Sequence, residues 1–334
     1  MSQKIAVVTG GAGFIGSHAV DVLLERGYEV RVIDDLSHGR RENLKHQANN
    51  PKLHVEIQDL RKIEPSSVIF RDVQYVLHFG GIGDIVPSID KPLEYMSVNV
   101  MGTVHALEAA RHARVKKFVY AASSSCYGKD APAPTNEEAP ISPEYPYALS
   151  KYQGEQAVRH WQKVYSLPTV SIRIFNAYGT RSRTTGAYGA VFKVFLAQKL
   201  AGKPYTVVGD GTQKRDFLYV TDVANAFVLA AESGKQDVVY NLGAGNPQSV
   251  NRLVQLLSGK VVYLPKRPGE PECTWADISK IQKELGWSQK VSFEKGVEEM
   301  LKNIDHWRDA PVWDPESIRE ATKNWFGSLE KAAK

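Results

Sequence analysis

Cysteine is scarce in this chain, since only Cys126 and Cys273 occur among 334 residues. Two cysteines cannot build a disulfide scaffold, and they are too few for a zinc site ligated by cysteine. The nine histidines show no metal-ligand spacing, so we predict no metal site. These shortages exclude the small disulfide-rich and zinc-stabilised classes of protein.

Long hydrophobic runs are also missing. The N-terminal stretch MSQKIAVVTGG holds one lysine and a short apolar run that leads into a glycine-rich turn. This run is too short for a transmembrane helix, and its continuation is unlike a signal peptide. We therefore predict no association with a membrane, and the cytoplasm is the expected location.

Charge of one sign is nowhere concentrated. Lysine and arginine number 42 against 37 aspartates and glutamates, which gives a net charge of +5. The sequence has no block of basic residues of the kind found in nucleic-acid-binding arms, so we predict no nucleic-acid partner. The mild positive balance fits a solvated basic surface, or local sites for small anions.

The first half of the chain instead alternates short apolar runs with helical stretches. The predicted strands are Ile5–Thr9, Glu29–Asp34, His54–Gln58, Tyr75–Phe79, Phe118–Ala121 and Thr169–Ile174. The predicted helices are Ser17–Arg26, Val98–His112 and Tyr147–Tyr165. This alternation indicates an α/β protein with a parallel sheet and helices on both of its faces.

The second half has a looser pattern. Helices are predicted at Gly186–Leu200, Val220–Glu232, Ser249–Leu257 and Ile278–Leu285, and strands at Tyr205–Val208 and Val238–Leu242. The last part of the chain is rich in aromatic residues, namely Trp307, Trp313, Trp325 and Phe326. Such density predicts that part of this tail packs against the rest of the protein.

A glycine-rich loop follows the first predicted strand. Residues 9–16 read Thr-Gly-Gly-Ala-Gly-Phe-Ile-Gly, which satisfies G-x-G-x-x-G and opens a helix. Glycines let the backbone approach a pyrophosphate, and the helix N-terminus offers free N–H groups to it. Asp34 ends the next strand at the spacing expected of a carboxylate that binds a ribose, which favours NAD over NADP. Asp59 and Leu60, after the third strand, are candidates for contact with the adenine.

Tyr147 and Lys151 lie four residues apart, so on a helix they share one side. A tyrosine that acts as a base near neutral pH needs its pKa lowered by about three units from ~10. We expect the ammonium group of Lys151, together with a bound cationic ring, to supply much of that change. The serines at 123–125 lie shortly upstream.

With these motifs the chain resembles the extended short-chain dehydrogenase/reductase family, and within it the NAD-dependent nucleotide-sugar 4-epimerases that act on UDP-hexoses and UDP-N-acetylhexosamines. The segments that carry the resemblance are residues 9–16, 78–81, 123–128, 147–151, 173–179, 209–216 and 267–270. The resemblance implies a Rossmann-type doubly wound parallel sheet with a smaller C-terminal α/β substrate-binding lobe. The cofactor domain would comprise residues 1–179 and about 214–243, and the lobe about 180–213 and 244–310, followed by a tail, 311–334, of unknown role.

The resemblance also implies roles for individual residues. The catalytic residues would be Tyr147 as base, Lys151 on the nicotinamide ribose and Ser123 beside the tyrosine. The cofactor-binding residues would be Gly10, Gly13, Phe14, Ile15, Gly16, Asp34, Asp59, Leu60, Phe79, Gly80, Gly81 and Asn99, with Tyr147 and Lys151. The substrate-binding residues would be Ser124, Ser125, Asn176, Ala190, Val191, Tyr205, Arg215, Arg267 and Glu270, with Cys273 and Thr274 near the C2 group of the sugar.

The implied chemistry is inversion at C4 through a transient 4-keto sugar, with a nucleotide sugar as partner and a homodimer as assembly. Related 4,6-dehydratases carry Thr-Asp-Glu where this chain has Ser123-Ser124-Ser125, and serine has no charge state suited to their proton transfers. Other outcomes stay open: net oxidation or reduction at C4, epimerisation or decarboxylation of UDP-glucuronate with Arg181 or Arg183 on its carboxylate, and a non-catalytic NAD sensor. The sugar and the nucleotide base are not identified.

Overall fold

A computed structural model describes residues 4–186, 188–266 and 270–332. The strands are, in chain order, β1 (Ile5–Thr9), β2 (Glu29–Asp34), β3 (Leu53–Ile57), β4 (Tyr75–His78), β5 (Lys117–Ser123), β6 (Thr169–Ile174), β7 (Asn176–Tyr178), β8 (Tyr205–Val208), β9 (Lys214–Arg215), β10 (Phe217–Tyr219), β11 (Val238–Leu242), β12 (Gln248–Ser249) and β13 (Val261–Leu264). The helices are α1 (Phe14–Glu25), α2 (Pro92–Tyr95), α3 (Gly102–His112), α4 (Pro146–Tyr165), α5 (Val191–Leu200), α6 (Val220–Glu232), α7 (Val250–Leu257), α8 (Ser279–Leu285), α9 (Phe293–Lys302) and α10 (Pro315–Ala332).

Seven of the strands form one parallel sheet in the order β11-β6-β5-β4-β1-β2-β3. Strand β1 is buried along its whole length, and β4 and β5 are buried except for one end residue each, as the continuous apolar sequence of β1 predicts for a sheet covered on both faces. One core lies between the sheet and helices α1 and α6, and a second lies between the sheet and α3 and α4. The Rossmann-type doubly wound sheet is therefore confirmed.

Helix α4 shows how the local sequence sets the position of an element. Tyr145 precedes it in an extended conformation, with φ −146° and ψ 162°, and Pro146 occupies the first turn. Proline suits this place because its fixed φ is helical and the first N–H groups of a helix have no partner within it. Ser166 ends the helix in the left-handed region, with φ 56°.

Two predicted helices differ from the structure in an informative way. The helix predicted to begin at Gly186 begins instead at Val191, because Gly186 has a φ of +93° and leaves the helical region. The helix predicted from Val98 is preceded by a π-helical turn, Met96–Met101, before α3 begins at Gly102. Such turns widen the helix by one residue and are often found at functional sites.

The smaller lobe has a core of its own, made by α5, α7, α9, strands β8 and β10 and the segment around Trp307. Strands β8 and β13 pair in parallel, and β9 pairs with β12 in antiparallel fashion. Strand β11, although late in the chain, pairs with β6 in the large sheet. On this basis we propose that the chain divides into the cofactor domain and the lobe expected from the sequence.

The aromatic tail packs against the protein, as its composition predicts. Trp307 and Trp325 are 1% and 6% exposed, and Trp313 packs against the core of the lobe. Its last helix, α10, docks through Ile318 and Thr322, which are 4% and 1% exposed. Within the ranges described, no helix combines the length and the apolar character needed to cross a membrane.

His78, at the end of β4, is fully buried and paired on both ring nitrogens. Its Nδ1 lies 2.8 Å from Oγ1 of Thr9, and its Nε2 lies 3.0 Å from Oγ1 of Thr103. Because the Thr103 hydroxyl donates to the carbonyl of Asn99 at 2.6 Å, it accepts from Nε2, and the neutral ring completes the network. Burial, helped by the charge of Lys151, lowers the pKa of His78 to about 3.

The buried histidine predicts a loss of stability in acid. Below pH 6.5 the unfolded chain protonates this residue while the folded chain does not, so stability falls as the pH drops from about 6.5 toward 3. Between pH 7 and 5 we expect His78 to lower the free energy of unfolding by about 2 kcal/mol. Urea denaturation of the wild type and of His78→Gln at both pH values measures it. The variant should lose this part of the pH dependence, and an identical dependence in both proteins would show that His78 does not cause it.

Candidate active site

The candidate site lies at the carboxyl edge of the large sheet. Thr9 and His78 are paired at the ends of β1 and β4, and Ser123 ends β5 opposite Ile174 of β6. The chain runs from β1 outward to β3, and then from β4 outward in the other direction. A crevice forms where this direction reverses, between β1 and β4, and such crevices are where open parallel sheets bind ligands.

The glycine-rich loop lies in this crevice and depends on glycine at two positions. Gly10 has a φ of +67°, and a Cβ there would lie 2.8 Å from the backbone nitrogen of Gly80. A Cβ at Gly16 would lie 2.2 Å from the carbonyl oxygen of Gly10. Gly13 precedes α1 without a side-chain cap, and Phe14 and Ile15 begin the helix. The loop therefore presents the open N-terminus of a helix, which suits a pyrophosphate.

Two substitutions should separate the packing of this loop from its binding role. The Cβ of Gly16→Ala would overlap Gly10, so we expect a loss of about 1–3 kcal/mol in the free energy of unfolding. At Gly13 the nearest atom to an added Cβ, the oxygen of Gly10, is 3.0 Å away and the next is 4.0 Å away. Because this contact is tight and alanine is a poorer N-cap residue than glycine, Gly13→Ala should lose about 0.5–1 kcal/mol, less than Gly16→Ala, but bind NAD at least about tenfold more weakly. Urea denaturation and calorimetric titration with NAD measure both, and equal losses of stability would contradict this difference.

Asp34 is placed beside the loop by the end of β2. Its carboxylate accepts hydrogen bonds from the backbone N–H of Ala12 at 3.0 Å and of Leu36 at 2.9 Å. Burial raises the pKa of Asp34, and these two bonds oppose the rise. A carboxylate offers about four acceptor positions, so Asp34 can still receive the hydroxyls of a ribose.

The segment after β4 connects the loop to the catalytic side of the crevice. Gly80 donates to Oγ1 of Thr9 at 3.2 Å, and a Cβ on Gly81 would lie 2.8 Å from Oδ1 of Asn99. Asn99 stands in the π-helical turn, accepts from the N–H of Ile82 at 2.7 Å and donates to Ser150 of α4 at 2.9 Å. Phe79 packs on Phe227, with ring centroids 4.5 Å apart. The polar atoms of Asn99 thus hold the cofactor segment to α4.

Ser123 and Tyr147 meet at the end of β5, and Lys151 lies one turn after Tyr147 on α4. The hydroxyl of Tyr147 lies 3.4 Å from Oγ of Ser123, which in turn lies 2.8 Å from Oγ of Ser125. Ser123 caps the short helix Ser124–Tyr127, so its oxygen is held toward the crevice. Lys151, 8% exposed, has its Nζ 4.6 Å from the centre of the Tyr120 ring and about 4.0 Å from where a Cβ on Gly81 would stand.

Burial has the largest effect on the pKa values of Tyr147 and Lys151. It raises the pKa of Tyr147, and the hydrogen bond with Ser123 opposes the rise. It lowers the pKa of Lys151 to about 8, and the charge of Glu155 opposes that change. These directions hold for the chain without a bound cofactor, because a buried phenolate loses its hydration. The lowering of the pKa of Tyr147 by Lys151 together with a bound cationic ring stays a prediction.

A buried ion pair joins α4 to β6. Arg173 of β6 and Glu155 of α4 are 3% and 1% exposed and are joined by two hydrogen bonds of 2.9 and 2.6 Å. Nη1 of Arg173 also donates to the hydroxyl of Tyr127 at 2.7 Å, and that hydroxyl donates to Oδ1 of Asn241 on β11 at 2.7 Å. Burial acts to lower the pKa of Arg173, but Glu155 outweighs it and holds that pKa above its ordinary value.

Part of the predicted substrate set comes together on the side of the lobe. Arg215 Nη2 lies 3.7 Å from a carboxylate oxygen of Glu270, and its Nη1 donates to the carbonyl of Pro271 at 2.8 Å. Asn176 accepts from the hydroxyl of Thr274 at 2.6 Å. An arginine and a carboxylate are thus neighbours, as recognition of a diphosphate and a ribose requires. Arg267 lies outside the described residues.

Other predicted residues are placed differently. Tyr205 is 1% exposed, its ring centroid lies 5.0 Å from that of Phe195, and its hydroxyl lies 3.4 Å from the carbonyl oxygen of Leu257. Its side chain therefore packs within the lobe, and its binding of substrate stays a prediction. Asp59 binds Arg61 at 2.6 Å and caps the short turn that begins at Leu60, which is a core residue. Ala190 and Val191 stand at the beginning of α5.

The structure also brings residues to the site that the motifs do not indicate. Asp84 is close enough for its charge to raise the pKa of Tyr147, and it pairs with Arg183 at 2.8 Å. Arg181 is instead paired with Asp21 of α1 at 2.7 Å. Sequence reasoning could have found one further residue of the site, Tyr145, because it is an aromatic residue two positions before Tyr147.

The sheet order, the glycine-rich loop and the Ser-Tyr-Lys group are together the features of an extended short-chain dehydrogenase/reductase. Residues 7–300 match the family model described as GDP-mannose 4,6 dehydratase, and the chain therefore belongs to this family of nucleotide-sugar epimerases and dehydratases. UDP-glucose 4-epimerase of Mycolicibacterium smegmatis is 34% identical over 311 residues, which cover 91% of this chain and 98% of that protein.

Two solved structures show the same likeness. UDP-N-acetylglucosamine 4-epimerase of Methanobrevibacter ruminantium, in complex with UDP-N-acetylmuramic acid, has a TM-score of 0.85 and 33% identity, over 92% of this chain and 98% of that chain. UDP-glucuronic acid 4-epimerase of Bacillus cereus, in complex with UDP-glucuronic acid and NAD, has a TM-score of 0.83 and 32% identity, over 90% of this chain and 99% of that chain.

Proposed function

We propose that this protein is an NAD-dependent epimerase that inverts C4 of a nucleotide sugar, most simply a UDP-hexose or a UDP-N-acetylhexosamine. The observation that carries the proposal is the approach of Tyr147 to Ser123 within 3.4 Å, at the sheet edge that also holds the glycine-rich loop. The similarity to 4-epimerases of UDP-glucose and of UDP-N-acetylglucosamine supports it.

NAD fits the residues around the loop. A side chain at Gly10 or Gly16 would fill the tight turn that lets the backbone approach a pyrophosphate. Asp34 would hold the hydroxyls of a ribose and would repel a 2′-phosphate, which favours NAD over NADP. When bound, NAD supplies a reversible acceptor for the hydride of C4.

The residues of the chain would transfer the proton and hold the substrate in position. Tyr147, as phenolate, takes the proton of the C4 hydroxyl, and Ser123 polarises the same oxygen. Lys151 follows Tyr147 by one turn of α4, and the family resemblance assigns it to the nicotinamide ribose. With NAD bound, its charge would stabilise the phenolate. Arg215 and Glu270 anchor the nucleotide while the 4-keto sugar turns, and Tyr147 returns the proton when C4 is reduced from its other face.

Two features favour this reaction over its neighbours. The serines at 123–125 offer no carboxylate for the elimination of water, although the family model is described by a dehydratase. Of the two arginines considered for a uronate, Arg181 is bound to Asp21 and Arg183 to Asp84. The pair of Arg183 and Asp84 has no net charge, which suits a neutral C6 group better than a carboxylate. We also propose a homodimer, which the family resemblance implies, with the cytoplasm as its location.

The test incubates the purified protein with NAD and a panel of UDP-, GDP- and dTDP-sugars, and reads the products by NMR and the absorbance of NADH. A C4-inverted product without net NADH is the expected result. Net NADH would indicate an oxidoreductase, and a pentose product would indicate decarboxylation. Binding without any conversion would indicate a sensor and contradict the proposal.

A further inference from the structure

The C-terminal segment, residues 304–332, crosses the loop that leads into α5 and returns to the cofactor domain. His306 Nε2 lies 2.8 Å from the carbonyl oxygen of Ser182, and the ring of Trp313 meets that of Tyr188 edge-on at 5.5 Å. The segment then enters α10, whose far end reaches the beginning of α4. It thus connects the substrate lobe to the side of the crevice that holds the catalytic tyrosine.

Helix α10 docks by one face, and Trp325 is a buried member of that face. Ile318, Thr322 and Trp325 are four and three residues apart, so they form one stripe along the helix, and they are 4%, 1% and 6% exposed. The Trp325 ring lies 5.0 Å from that of Tyr145. Asn324 adds a hydrogen bond of 2.8 Å to Asp90 of the cofactor domain.

Tyr145 lies between Trp325 and Tyr147 and so connects α10 with the catalytic group. Its ring is nearly parallel to that of Tyr147, with an interplanar angle of 10° and centroids 6.5 Å apart. Its hydroxyl is within hydrogen-bonding reach of Ser125, and the charge of Glu270 also acts on it. Tyr145 therefore lies between Ser125, at the catalytic end, and Glu270, the acid expected to bind the nucleotide ribose. The sugar of a bound substrate must lie between these two residues.

We propose that α10 forms the outer wall of the sugar subsite, and that Trp325 is a positioning residue that holds Tyr145 against Tyr147. The inference rests on the proposed function, because it concerns the sugar of a nucleotide sugar. A fixed Tyr145 keeps the neighbouring phenol oriented and keeps water from the sugar while C4 is a ketone. Without the indole ring, Tyr145 gains rotamer freedom and the wall opens to solvent.

The test uses the full-length protein loaded with NAD and compares Trp325→Ala with the wild type. Lys323→Ala, at an exposed position of the same helix, is the matched control, and Trp325→Phe is the conservative variant. Affinities for UDP, UDP-glucose and UDP-N-acetylglucosamine are measured by calorimetry, and kcat and its pH profile by NMR. UDP reports on the nucleotide site alone, whereas the ratio of sugar nucleotide to UDP affinity reports on the sugar subsite.

For Trp325→Ala we expect UDP to bind within about twofold of the wild type and the preferred sugar nucleotide about tenfold more weakly, since one aromatic contact is at stake. Its kcat should fall by at least about tenfold with a shifted pH profile, while Trp325→Phe and Lys323→Ala stay near the wild type. Unchanged sugar affinity and kcat would overturn the inference and leave the epimerase assignment standing. An equal loss of UDP and sugar-nucleotide binding would also overturn it, because the helix would then act only on overall structure. A wild type that binds no nucleotide would overturn the proposed function and the inference together.

Discussion

Replacing Tyr147 with phenylalanine is expected to lower kcat by about 10³-fold, or ~4 kcal/mol in activation free energy. The substitution removes the oxygen that takes the proton from C4, and the hydroxyl of Ser123, 3.4 Å away, has no base of its own. The ring contacts with Tyr95 at 6.4 Å and Tyr145 at 6.5 Å should survive. The sugar nucleotide should therefore bind to the variant almost as it binds to the wild type, as calorimetry and NMR turnover can measure.

Tyr152→Phe is the matched control for this experiment. Tyr152 lies on α4, five residues further along, is half-buried and packs beside Cys126. Its loss of a hydroxyl should leave turnover within about twofold of the wild type. If the Tyr147 variant retained activity, or if the two variants lost it equally, Tyr147 would not be the base.

Replacing Arg173 with methionine is expected to lower the free energy of unfolding by about 3–5 kcal/mol. The change leaves the carboxylate of Glu155, 1% exposed, without the partner that now approaches it to 2.6 Å. It also removes the donor to Tyr127, so a second buried polar group loses a hydrogen bond. Urea denaturation at neutral pH, with catalysis measured below the transition, checks this expectation.

The double variant Arg173→Met, Glu155→Leu separates an unpaired charge from lost packing. A buried pair exchanged for apolar side chains of similar volume is often close to neutral in stability. We therefore expect the second substitution to recover most of the loss. A double variant as unstable as the single one would mean that shape and the Tyr127 network, rather than the charge of Glu155, dominate at this place.

Sequence patterns predict the parts of this protein that short-range rules govern. The strand that ends at Asp34, the glycine-rich loop and the pair of Tyr147 and Lys151 each follow from a few adjacent residues, because strand ends and helix spacing set their geometry. The predicted start of α5 at Gly186 is wrong, because a periodic apolar pattern does not record the positive φ of that glycine. The burial of the Tyr205 side chain cannot be read from its neighbours in sequence, because it depends on α7, whose Leu257 carbonyl oxygen lies 3.4 Å from the Tyr205 hydroxyl.

The remaining features depend on contacts between distant parts of the chain. Trp325 and Tyr145 meet across 180 positions, and nothing local to either residue indicates the other. Arg173 and Glu155 are charged residues of the kind that usually face solvent, so their burial becomes visible only when β6 packs under α4. The same holds for Asp84 and Arg183, which come from opposite sides of the crevice.

The position of β11 has a consequence for the synthesis of this protein. The strand closes the large sheet beside β6, yet the chain reaches it only after α5 and β8 of the lobe. A ribosome releases residues in chain order, so the sheet that holds the loop cannot be completed until much of the lobe has emerged. During that interval the edge of β6 has no partner strand and can pair with other chains. We therefore expect truncated chains that end before Val238 to aggregate rather than fold into a smaller binding domain.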